Sequence, residues 1–205
     1  MNFTKLASGE TVAKTAAALE RRGFKAVAVA DGREALEYIK RSIPNGASVM
    51  NGSSVTLEEI GFVDLLKSGK HEWNNLHAAV LAEQDSAKRS QMRKHAVVSD
   101  YYLGSVHALT EDGEMVIASN TGSQQPHLVY TSPNLILVVS TKKIVPTLAG
   151  AFERLEKHVV PLEDEHMKKL YGSGTAHNKT VVLHGESAMT KRSATVLLVD
   201  EALGF

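Results

Sequence analysis

The chain has 205 residues, enough to bury a core without covalent staples, and its Lys+Arg 23 balance Asp+Glu 23, which excludes the basic excess of a general nucleic-acid binder. It contains no cysteine, so disulfides, thiolate metal sites, iron–sulfur ligation and a cysteine nucleophile are excluded. The first ten residues, Met1 to Glu10, hold no long apolar run and no later stretch is long and apolar enough to cross a bilayer, so a cytoplasmic protein without a membrane partner is expected.

Apolar residues Val12, Ala13, Ala16, Ala17 and Leu19 recur at helical spacing from Thr11 to Arg22, and Gly23 is the stop signal. Phe24 to Ala30 reads as a short strand buried on both faces. Asp31 with Glu34 resembles a capping box opening a second helix, whose stripe Ala35, Leu36, Ile39 and Ile43 ends at Pro44-Asn45-Gly46. A strand from Ala47 to Met50 leads into Asn51-Gly52-Ser53-Ser54-Val55-Thr56, a glycine and hydroxyl turn before a short helix. Gly52 permits close approach to the backbone, and the hydroxyls of Ser53, Ser54 and Thr56 suit an anion. Thr56 and Glu59 also have the spacing of a capping box, so capping and ligand binding both stand as readings of this turn.

Ile60, Phe62, Val63, Leu65 and Leu66 supply a helix pair interrupted at Gly61. The segment from Asn75 to Lys94 has a sparse apolar stripe and reads as a surface helix or helix pair, a place for a homodimer contact. Alternation over Tyr101 to Leu109 and Glu114 to Ala118 around Glu111-Asp112-Gly113 predicts a hairpin. A second glycine and hydroxyl turn, Ser119 to Gln125, follows it and leads into a short helix over Gln124 to Tyr130. Leu135 to Val139 is an unbroken apolar run, the pattern of a central strand, and it delivers Lys142 and Lys143 to the edge where open α/β sheets bind ligands. Thr147 caps a helix ending at Pro161, and two last strands, Thr180 to Leu183 and Thr195 to Val199, are joined by a charged connection containing Lys191 and Arg192. Leu203-Gly204-Phe205 is apolar enough to dock. No linker or repeat divides residues 1–205, and alternating strands and helices predict a single α/β domain with a mostly parallel sheet and an antiparallel hairpin portion.

In this order and spacing, Asn51 to Leu57 with Gly61, Asp100-Tyr101 through Gly113, Thr121-Gly122-Ser123-Gln124, Lys143-Ile144-Val145 and Val199 to Phe205 resemble the LUD family of lactate-utilization, LutC-like domains. The resemblance covers nearly the whole chain and implies a Rossmann-like three-layer α/β/α domain of the NagB/RpiA/CoA-transferase-like superfamily. It implies counterparts of that superfamily's isomerase loops at Gly52-Ser53-Ser54, Asp112-Gly113, Gly122-Ser123 and Lys143. The chain departs from the pattern where an isomerase would carry a base glutamate, since Gln124-Gln125-Pro126-His127 has none, and Ser119-Asn120-Thr121-Gly122 lacks the glutamate nucleophile of a CoA transferase.

The resulting site comprises Asn51, Gly52, Ser53, Ser54, Thr56, Thr121, Gly122, Ser123, Gln124, Lys142 and Lys143 as ligand-binding residues, with Asp112 and Lys143 as the catalytic candidates. Lys143 aligns with the family pattern and Lys142 does not. Glu163 and His166 stand one helical turn apart, but a lone pair of this kind reads as an exposed charged face, and no metal or cofactor is expected. Three functions follow as expectations: a LutC-like accessory or ligand-binding component of small organic acid metabolism, binding an anionic metabolite or phosphate-bearing ligand beside oxidoreductase partner subunits; an enzyme of the isomerase, deaminase or CoA-transferase type; or a structural subunit with no ligand.

Overall fold

The computed structural model describes residues 2–205. Its first half runs α1 (Gly9–Arg21), β1 (Lys25–Val29), α2 (Gly32–Ser42), β2 (Ser48–Asn51), α3 (Val55–Glu59), α4 (Phe62–Ser68), β3 (Asn74–Asn75), α5 (Leu76–Ala82) and α6 (Ser86–His95). The second half runs β4 (Tyr101–Gly104), β5 (Ala108–Thr110), β6 (Met115–Ser119), β7 (Asn134–Ser140), β8 (Ile144–Val145), α7 (Leu148–Arg154), α8 (Val160–Tyr171), β9 (Lys179–Leu183) and β10 (Ser193–Val199).

Six strands form one sheet in the order β1-β10-β7-β4-β2-β3, every pair parallel. The apolar run of β7 lies inside it, and its alternation serves two cores. Leu135, Leu137 and Val139 face a core with Leu19, Phe24, Met115 and Ile117. Ile136 and Val138 face another with Ile39, Leu57, Phe62 and Leu66 from α2, α3 and α4. Each of these fully buried side chains contributes roughly 1.5–3 kcal/mol, so β7 is the strand on which the layers are assembled. A second sheet, β8-β5-β6-β9, contains the β5–β6 hairpin and is antiparallel except for the β5–β8 pair. Its other face packs Ala108, Val116 and Val145 against Ala151 and Leu155 of the long C-terminal helix.

Two expectations about strands need correction. β1 is an edge strand and only partly buried, because nothing pairs with its second side. The segment Tyr101 to Leu109 is two strands in two sheets, with the chain crossing between them at Ser105 to His107. The last two strands, though joined by one connection, are not neighbours: β9 pairs with β6 in the second sheet, whereas β10 enters the main sheet between β1 and β7. Arg192 of the charged connection points into the protein, donating to the carbonyls of His127, Leu128 and Ser132 and pairing with Glu186 at 3.1 Å.

Pro161 does not end its helix. α7 continues into α8 through a wide π-type turn, Leu155–Val159. A proline ring clashes with the carbonyl four residues back in a regular helix. Here that carbonyl, on Lys157, lies within the wide turn, so the helix passes Pro161 and runs on to Gly172, whose φ of 71° closes it. π-type turns are one-residue expansions of a helix and concentrate at functional sites.

Candidate functional site

Beyond the carboxyl ends of β2 and β4 lies a cavity of about 590 Å³. Gly52, Ser53, Ser54, Val55 and Thr56 form one wall, Ser119, Asn120, Thr121, Ser123 and Gln124 a second, and Lys143 stands at its base. The three loops read from the sequence therefore meet in one place. Gly52 is required where it stands, because a Cβ there would lie 2.5 Å from the Tyr102 hydroxyl.

The first turn is built differently from the expected capping box. Ser54, not Thr56, caps α3, its hydroxyl accepting from the Leu57 N–H at 3.3 Å. Thr56 is thereby left for the site: its Oγ1 accepts a hydrogen bond from Lys143 Nζ at 2.9 Å. Glu59 reaches instead to the carboxyl-terminal segment and accepts from the Gly204 N–H at 2.6 Å. In the second turn Gly122 supplies a left-handed φ of 84°, the Gly122 N–H donates to Ser119 Oγ at 2.9 Å, and Thr121 Oγ1 donates to Ser123 Oγ at 3.1 Å. Gln124 anchors this turn to β6 by donating to the Ala118 carbonyl at 3.0 Å.

Lys143 is the focus of the site. It is 4% exposed, its second hydrogen bond goes to Ser105 Oγ at 3.0 Å, and it makes no ion pair among the described residues. Burial, then the charges of Arg154 and Lys142, push its pKa down to about 7, with Glu59 opposing. Arg154 is fully buried. Its Nη1 donates to the His107 carbonyl, while Nε and Nη2 have no partner among the described residues. Lys142 donates to the Gly204 carbonyl at 2.6 Å, and burial followed by the Arg154 charge lowers its pKa. His107 lines the cavity, and desolvation, Lys143 and Arg154 hold its pKa down at about 3. Its Nδ1 accepts from the Ala118 N–H at 3.1 Å, which places the ring hydrogen of the neutral imidazole on Nε2.

Four of the expected residues do not line the cavity. Asn51 is buried beside it, with Oδ1 2.8 Å from His77 Nδ1 and Nδ2 donating to the Gly52 carbonyl, so it braces the turn from behind. Gly122 shapes its turn, and Lys142 is turned away toward Gly204. Asp112 is the substantive correction: it sits in the β5–β6 turn, where its carbonyl accepts from Arg22 and the neighbouring Gly113 packs against α1. Its turn closes the hairpin at the end away from His107, Ala118 and Ser119, which line the cavity, and Asp112 is not among the lining residues.

Several cavity residues escaped the sequence reading. Ser105 and His107 lie in the crossing between two sheets that alternation alone read as one strand. Arg154, which does not line the cavity but whose charge acts on Lys143, was hidden in an amphipathic helix, where a charge normally marks the wet face. Glu163 and His166, read as an exposed pair, belong to the opposite wall with His177, and desolvation raises the Glu163 pKa while His166 opposes it. The signal that could have found them was Pro161 itself, a proline inside a pattern that continues to be helical on both sides. Arg93 of α6 also lines the cavity, giving the sparse-striped segment a role besides packing.

The family model of the LUD domain matches residues 12–198. The chain belongs to the LUD family. This LUD chain also shares its fold with a crystal structure of a DUF162 family protein from Deinococcus radiodurans, with a TM-score of 0.54 at 11% sequence identity, covering 95% of this chain and 98% of that one. No curated protein matches. The LUD fold thus stands on both comparisons, and the chemistry of the site on the residues that line it. Among the described residues no helix is long and apolar enough to cross a membrane, and no group of histidine and acidic side chains could hold a metal ion.

Proposed function

We propose that this LUD chain binds a small organic anion at the Lys143 end of the cavity, as a ligand-binding component of lactate-type organic acid metabolism. One observation carries the reading. Lys143 lines the cavity with Lys142 and Arg154 near it, burial and then the Arg154 charge lower the pKa of both lysines, and none of the three forms an ion pair among the described residues. Buried charge without a counter-charge is costly, and an anion entering the cavity relieves that cost. The hydroxyls of Ser53, Ser54 and Ser123 along the walls supply neutral donors for its remaining oxygens. The cavity volume lies within the range of small-molecule sites, so carboxylates longer than lactate are accommodated as well. Since the chain has no cysteine, any iron–sulfur redox step in such metabolism belongs to an oxidoreductase partner subunit.

A thermal-shift titration with L-lactate, pyruvate, inorganic phosphate and a sugar phosphate tests the proposal. An anion at ten times its Kd adds about 1.4 kcal/mol, or about 3–6 °C in Tm for a domain of this size. The shift is expected for at least one of these anions and is expected to disappear in Lys143→Met. Unchanged melting with all four anions refutes the proposal, as does a shift that persists undiminished in the variant.

A further inference from the structure

We propose that Lys143 is a nucleophile that forms an imine with the carbonyl carbon of a 2-oxo acid held in the cavity. This rests on the anion-binding reading above and goes beyond it, from occupancy to a covalent step.

The geometry at Nζ carries the inference. A neutral amine has two hydrogens and one lone pair, and Lys143 Nζ donates twice, to Thr56 Oγ1 at 2.9 Å and to Ser105 Oγ at 3.0 Å. Among the described residues Nζ makes no third hydrogen bond that would hold the additional hydrogen of an ammonium. The two hydroxyls therefore suit the amine, and with both hydrogens engaged the lone pair is the part of the nitrogen left over. Lys143 lines the cavity, so that lone pair has space in front of it. Gly204 backs the nitrogen so closely that a Cβ there would lie 2.9 Å from Nζ. Burial, Arg154 and Lys142 disfavour the ammonium, Glu59 opposes them more weakly, and no carboxylate forms an ion pair with Lys143 among the described residues. A desolvated lysine beside other cations is the usual way of preparing an amine nucleophile at neutral pH.

The step balances without a co-reactant. The nitrogen lone pair attacks the carbonyl carbon, the C–N bond forms and the C=O π pair moves to oxygen. The two N–H hydrogens then leave with that oxygen as water, and C=N remains. The Thr56 and Ser105 hydroxyls, already bonded to those hydrogens, are their first acceptors. His107, with its hydrogen on Nε2, adds a neutral donor to the same cavity for the carbonyl oxygen. The acid's carboxylate supplies the counter-charge that the base of the site lacks. A 2-oxo acid is what oxidation of a 2-hydroxy acid such as lactate yields, so a reaction of that class would supply the substrate.

The test is reductive trapping on the full chain. The protein is incubated with pyruvate at about pH 7.5, reduced with borohydride, digested and mapped by mass spectrometry, with and without excess L-lactate, which lacks the carbonyl. The expected result is one dominant adduct, on Lys143, reduced at least tenfold by L-lactate and absent from Lys143→Arg. Labelling spread evenly over surface lysines, or no adduct on Lys143, overturns the proposal. Because the map is made on the unaltered protein, the result does not depend on the variant folding. Thermal shifts with the same four anions separate the two failures: a shift with any of them but no adduct removes the imine and leaves anion binding, whereas no shift with any of them and no adduct removes both.

Discussion

Replacing Lys143 by methionine is expected to flatten a rise in stability that the unaltered protein shows between about pH 7 and its ordinary lysine value of 10.5. In that window the unfolded chain holds the lysine proton and the native state does not, so native stability increases with pH, by at most about 1.4 kcal/mol per unit. Below about pH 7 both states are protonated, and the native state carries the whole penalty of a buried ammonium. Between pH 7 and about pH 9.5 the wild-type protein should gain about 3 kcal/mol relative to Lys143→Met, read from urea denaturation of both proteins at the two pH values. Parallel curves would mean that Lys143 stays charged in the folded protein. The same proton governs the ligand: an anion without a carbonyl, such as lactate, binds the ammonium form best, so its affinity should weaken as pH rises through about 7.

The second large effect is expected at Gly204. Its φ of 64° is left-handed, and a Cβ placed on it would stand 2.2 Å from Thr56 Oγ1 and 2.9 Å from Lys143 Nζ. Gly204→Ala thus incurs the backbone cost of a left-handed alanine and displaces Thr56, together about 2–4 kcal/mol. Both groups that would have to move hold the Lys143 nitrogen or are that nitrogen. Calorimetry should therefore show a Tm lower by about 4–16 °C, and isothermal titration should show anion affinity falling with it. A stable Gly204→Ala protein with intact binding would show that the carboxyl-terminal segment does not set the site.

The fold was readable because its signals are local and redundant. β7 is announced by five consecutive apolar residues, α2 by its Asp31 cap with the Glu34 N–H donating at 2.8 Å, and the α3–α4 break by Gly61 with a φ of 79°. The two hydroxyl turns and Lys143 were readable for a related reason, since each follows directly on a strand whose end the sequence marks. What was not readable depends on contacts distant in sequence. Thr56 looked like a cap because nothing near it reveals a lysine 87 residues away that takes its hydroxyl. Asp112 looked catalytic because an acidic turn at that point of the chain fits the family pattern, yet the hairpin it closes belongs to the second sheet. Arg154 was invisible for the opposite reason: periodicity reports which face of a helix is wet, and Arg154 is fully buried.

The wide turn at Leu155–Val159 fixes the phase of the helix wall that follows it. A surplus residue absorbed there winds everything beyond it by about 100° relative to an uninterrupted α-helix. Leu155 and Val159 stay seated on the second sheet with the cavity beside them, and beyond the turn Glu163 and His166 extend the same wall. A wide turn in a packed helix thus sets the aim of the side chains beyond it, so the composition of that wall depends on residue count as well as residue type.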